Sequence, residues 1–88
     1  MNFAKKIAKK LVEINEAIRI DTGSYEVSHA KSPKGTGLWM FGLDFYPKHP
    51  KDYDDPRIVG FNGKYGDAIK HVRHLATQKG HRIIYVLP

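Results

Sequence analysis

His71 and His74 stand three apart in a segment of helical periodicity, so they share a surface and could grip a metal ion together. A usable site needs a third ligand, drawn from His81, His49 or the acids Asp52, Asp54 and Asp55. Zinc sites of histidine and carboxylate alone are usually catalytic, and the helical His-Glu-x-x-His pattern is absent. Exposed helix histidines among lysines explain the pair more simply, so no metal and no cofactor is expected. Asp52, Asp54 and Asp55 match a calcium loop in acid density alone, because the glycine at the sixth position and the glutamate at the twelfth are missing. They read as a solvated, proline-braced loop suited to contact with a protein.

The turn at residues 31–37 (KSPKGTG) is glycine-rich and carries Lys31 and Lys34, which suits phosphate contact. It has neither the Walker spacing nor the Gly-x-Gly-x-x-Gly fingerprint, and as a hairpin loop it needs glycines in any case. His81 and Arg82 lead into a strand that contains Tyr85, the one place where acid–base groups meet a rigid element. Small basic ribonucleases use His, Arg, Lys and Tyr without metal, a likeness of composition and chemistry rather than of motif. Cysteine is absent, which excludes a disulfide framework, thiolate-bound zinc and a thiol nucleophile.

The charge is uneven along the chain. The 88 residues carry a formal +6, with a pI near 9.7. Residues 1–20 hold +3, residues 21–63 hold −1 and residues 64–88 hold +4. The excess therefore belongs to two helical segments and the start of the last strand. A basic surface of this kind is an electrostatic footprint for a polyanion. Phosphate contacts are assigned to Lys5, Lys6, Lys9 and Lys10 in the first segment and to Lys70, Arg73 and His74 in the second. Trp39, Phe41 and Phe45 would stack on bases if their face were open, although alternating aromatics are more often core.

These side chains need elements to hold them. Phe3, Ile7, Leu11, Ile14 and Ile18 recur at helical spacing and predict an amphipathic helix from Asn2 to about Arg19, stopped by Asp21 and Gly23. From Ser24 the period becomes two, and Tyr25, Val27 and His29 alternate with polar neighbours as a short strand. Residues 38–46 (LWMFGLDFY) form the strongest strand, residues 47–56 a loop, and residues 57–61 a third strand closed by Asn62-Gly63. Tyr65, Ala68, Ile69, Val72, Leu75 and Ala76 mark a second helix of about 12 to 14 residues, ended by Lys79-Gly80. The last strand, residues 81–87, is apolar on both faces.

The expected fold is α+β. It is a single domain over residues 1–88, a two-layer sandwich in the order helix-strand-strand-strand-helix-strand, with a mainly antiparallel sheet of about four strands and two amphipathic helices. With both helices on one face, the other would expose part of the aromatic set to a partner, a ligand or a second copy. No apolar run reaches the roughly 18 residues of a membrane span. No membrane partner is expected, and a reducing cytoplasm is the default compartment. The element order resembles that of the double-stranded-RNA-binding domain, which opens its second helix with a lysine cluster. The matching residues 63–68 (GKYGDA) hold one lysine and one acid, and the final strand is additional. The favoured function is non-enzymatic binding of a nucleic acid or nucleoprotein through the basic helix faces. The alternative is a small inhibitor or accessory factor of the phage or mobile-element type, binding one host protein through Trp39, Met40 or the acidic loop. A metal-independent RNase centred on His81, Arg82 and Tyr85 is the third.

Overall fold

The computed structural model of the protein describes residues 18–88. Along them run β1 (Arg19–Asp21), α1 (Gly23–His29), β2 (Thr36–Leu43), a 3-10 turn (Pro50–Asp54), β3 (Ile58–Lys64), α2 (Tyr65–Lys79) and β4 (Ile83–Val86). The strands make one mixed sheet in the order β1-β4-β2-β3. β2 runs antiparallel to both β3 and β4, and β1 lies parallel to β4 at the edge. The fold is α+β with a mainly antiparallel four-stranded sheet.

Strand alternation sorts the apolar residues. Trp39, Phe41 and Leu43 point to one side of β2. Register brings Phe61 and Val59 opposite Trp39 and Phe41, and Val86 and Ile84 opposite Phe41 and Leu43, all on that same face. α2 covers it with Ala68, Val72 and Ala76, spaced by four and each 0% exposed. The alanines let the helix lie close to the sheet. Gly80 then ends α2 at φ 77°, its N–H donating to the Ala76 and Thr77 carbonyls.

The opposite face is half covered. After β2 the chain folds back, and the Phe45 carbonyl lies where a side chain at Gly42 would stand. Tyr46 packs edge-on against Tyr85, with ring centroids 5.6 Å apart, and the Arg57 guanidinium stacks on Phe45 at 4.1 Å. Towards the start of β2, Leu38 stays 69% exposed and Met40 half-buried, both leaning over Gly60. The sheet face expected to be open for a second copy is reduced to this small patch.

Five expectations change. β2 ends at Leu43, short of the expected Tyr46, and Asn62 and Gly63 pair with Leu38 and Gly37 inside β3 instead of closing it. Residues 23–29 are helix, not strand: Asp21 Oδ1 accepts from Gly23 N–H at 2.9 Å, and Thr22 Oγ1 donates to Glu26 Oε2 at 3.0 Å, a side-chain link that spans the first turn. The i to i+4 pair of Tyr25 and His29, stacked at 4.1 Å, mimics strand alternation in sequence. Arg19–Asp21 is strand, where the first helix was expected to end, because Ile20 joins the core beside Ile84. Residues 31–37 consequently link a helix to a strand and form no hairpin, and the element order departs from that of the double-stranded-RNA-binding domain. Ile18, the last member of the predicted N-terminal stripe, is in the core at 9% exposure, and the remainder of that predicted helix lies outside the described residues.

Candidate functional site

α2 separates its two faces sharply. Opposite the buried Ala68, Val72 and Ala76, the side chains of Lys70, Arg73 and His74 are all exposed. None of the three forms an ion pair among the described residues, whereas Arg19, Arg57 and His81 each pair with an aspartate. His71 sits at the margin of this face with its ring 5.3 Å from Phe61. The structure therefore brings the three described phosphate candidates onto one surface. Lys5, Lys6, Lys9 and Lys10 lie outside the described residues.

A second cluster joins the end of β2 to the start of β4. Asp44, at φ 53°, accepts from Ile83 N–H at 2.9 Å, from Arg82 N–H at 3.2 Å and from the His81 ring Nδ1 at 3.0 Å. Burial pushes its carboxyl upward, but the Ile83, His81 and Arg82 hydrogen bonds outweigh this and hold it below its ordinary value. An aspartate that fixes a histidine through Nδ1 leaves Nε2 available for proton transfer. Tyr85, however, turns to Tyr46 on the sheet face away from α2. Nothing in the described residues draws His81, Arg82 and Tyr85 together as one acid–base site, and the aspartate's bonds to two main-chain N–H groups make it a latch between strands.

A third cluster lines a cleft of about 300 Å³ between α1 and the first half of β2. Tyr25 and His29 come from α1, Lys31 and Lys34 from the connection, and Thr36, Leu38 and Met40 from β2. Tyr25 is anchored by its ring against Trp39, 5.5 Å away, and Trp39 meets Tyr65 at 4.9 Å. A seven-residue helix has little stability of its own, so this aromatic row holds α1 in place. Sequence reading missed Tyr25 and His29 as site residues because it placed them on a strand. Asp44 has no role in the sequence reading, because its partners lie 37 to 39 positions away in the chain.

The protein-contact candidates fare unevenly. Trp39 is no surface residue: it is 6% exposed, and its indole N–H donates to the Gly63 carbonyl at 3.1 Å. Met40 is half-buried at the edge of the cleft. Asp52 accepts from the N–H groups of Lys48 and His49 at 2.8 and 3.0 Å, which bracing lowers its pKa. Asp55 is held to about 2 by the Arg57 side chain, with which it makes a bidentate pair at 2.9 Å. The loop thus spends two of its three acids on its own conformation, and Asp54 alone is exposed without such a bond among the described residues. The same residues gather no group of three metal ligands, so His71 and His74 remain a pair. No family model, curated protein or solved structure matches this chain. Function must be argued from the clusters themselves. Among the described residues no helix is long and apolar enough to cross a membrane.

Proposed function

We propose that the protein is a non-enzymatic binding module that lays the outer face of α2 on the phosphates of a nucleic acid or nucleoprotein. The observation that carries this reading is the exposure of Lys70, Arg73 and His74 on one helix face with no acidic partner among the described residues. Paired cations have already spent their attraction. Unpaired ones on a rigid helix can displace the condensed counterions of a polyanion at small cost. Lys64 and Lys79 extend the basic character to both ends of α2, and Asp67 in its first turn is the opposing charge.

The test is the salt dependence of binding to a labelled 20-base-pair duplex, as DNA and as RNA, between 50 and 200 mM NaCl. Replacing Lys70 and Arg73 together by glutamine should flatten the slope of log affinity against log salt by up to about two units, close to 0.9 for each phosphate contact. The loss should be the same for unrelated sequences, because phosphates carry no base identity. An unchanged slope, or no binding by the parent at 50 mM salt, overturns the reading.

A further inference from the structure

β2 outruns the strand beside it. Its register with β4 covers Phe41, Gly42 and Leu43, and Leu87 N–H gives one last bond to the Met40 carbonyl at 2.9 Å. From Thr36 to Trp39 the strand is paired on its β3 side alone among the described residues. The ladder also fixes which groups are left over. Leu43 N–H bonds towards β3 at Arg57, while Asp44 N–H bonds towards β4 at Ile83. Odd-numbered residues of β2 therefore face β3, and even-numbered ones face the β4 side. Thr36 and Leu38 turn both N–H and C=O into the cleft, which α1 walls on one side and Leu87 and Pro88, just past β4, line at one end.

We propose that this cleft binds an extended acidic segment of a partner protein, added as a short strand beside Thr36–Leu38 with its carboxylates set against Lys31 and Lys34. The main chain selects a peptide: Leu38 offers a donor and an acceptor, and a phosphodiester, which has acceptors alone, satisfies half of them. The rim selects the charge. Lys31 and Lys34 line the cleft with His29 beside them, and no Asp or Glu side chain does so. Glu26 of α1 is occupied instead by the hydroxyls of Thr22 and Ser32, at 3.0 and 3.3 Å. The chain's own residues 1–17 bring Lys5, Lys6, Lys9 and Lys10 against Glu13 and Glu16, and a second copy brings +6, so both meet the rim with like charge. This surface is separate from the outer face of α2 and is independent of the function proposed for it.

Random decapeptides displayed on phage, selected on the full chain and then titrated into nitrogen-15-labelled protein, test the proposal. The enriched peptides should be rich in Asp and Glu and should shift the amides of Thr36, Leu38 and Lys34. They should lose about tenfold in affinity on methylation of a central peptide N–H, the scale of one lost main-chain bond to an ordered strand. Lys31→Glu with Lys34→Glu should cost a similar factor while leaving the α2 amides in place, which shows that the variant is folded. A ten-nucleotide oligothymidine run in parallel should leave the cleft amides unmoved. No enrichment, enrichment without acidic bias, peptide shifts elsewhere, or an oligonucleotide that moves the cleft amides where peptides do not would each overturn it.

Discussion

Asp44→Asn distinguishes a latch from a catalytic pair. The carboxylate takes main-chain N–H bonds from Ile83 and Arg82 and the Nδ1 bond of His81, while its backbone sits at φ 53°. Asparagine tolerates that conformation and keeps one carbonyl oxygen for the two N–H groups, but it loses the charge that strengthens them. With the side chain 37% exposed, water replaces part of what is lost, so the net cost is about 1 kcal/mol, or roughly 4–8 °C for a domain of this size. Asp44→Ala removes both acceptor oxygens and adds left-handed strain of about 1 kcal/mol, for about 2–3 kcal/mol in all. The pH dependence follows from the lowered pKa. A carboxyl depressed in the folded state contributes stability that is full above its unfolded value near 3.9 and is lost as pH falls through the folded value. Urea melts of parent and Asp44→Asn should therefore be separated at pH 6 and converge between about pH 4 and pH 2. Coincident melts at pH 6, or a gap that widens on acidification, would refute the latch.

Phe41→Ala, at a fully buried position, should cost about 3–5 kcal/mol in urea denaturation, whereas Leu38→Ala, at 69% exposure, should stay within about 0.5 kcal/mol; comparable losses would mean that α2 covers the wrong face. Arg57→Gln should return the Asp55 titration from about 2 towards the ordinary carboxylate value near 3.9 in carbon-detected NMR, and a midpoint that stays near 2 would remove the ion pair as its cause.

How far the sequence could be read follows from where its signals are local. The second helix was legible because Tyr65, Ala68, Ile69, Val72 and Ala76 sit at helical spacing and Gly80 marks the left-handed stop. β2 was legible because Trp39, Phe41 and Leu43 alternate over a buried face. Residues 23–29 were not, since over seven residues a period of two and an i to i+4 pair give the same two aromatic positions, and Asp21 and Thr22 decide the matter through side-chain bonds that hydropathy does not register. The basic face of α2 was readable residue by residue, because helix geometry alone puts Lys70, Arg73 and His74 together. The cleft was not, because it exists through a difference in length between β2 and β4, two strands separated by 40 residues and more in the chain. The same holds for Asp44 and His81, which are 37 positions apart.

The two basic surfaces are built on one packed corner, and Tyr65 is its hinge pin. As the first residue of α2 it donates its N–H to the Gly35 carbonyl at 2.9 Å, tying the helix to the connection that carries Lys31 and Lys34. Its ring lies on Trp39, which in turn holds Tyr25 and so α1. Burial pushes its phenol above the ordinary value, Glu26 of α1 adds to that rise, and Arg73 of α2 opposes it. Charges on both helices thus bear on one phenol. The corner joins the connection that carries Lys31 and Lys34 to the helix that carries Lys70, Arg73 and His74 through the row of Tyr25, Trp39 and Tyr65. The row packs α1 and the connection against α2 through rings rather than ion pairs. It thereby leaves Lys70, Arg73 and His74 without an acidic partner among the described residues, the condition that the proposed phosphate contact requires.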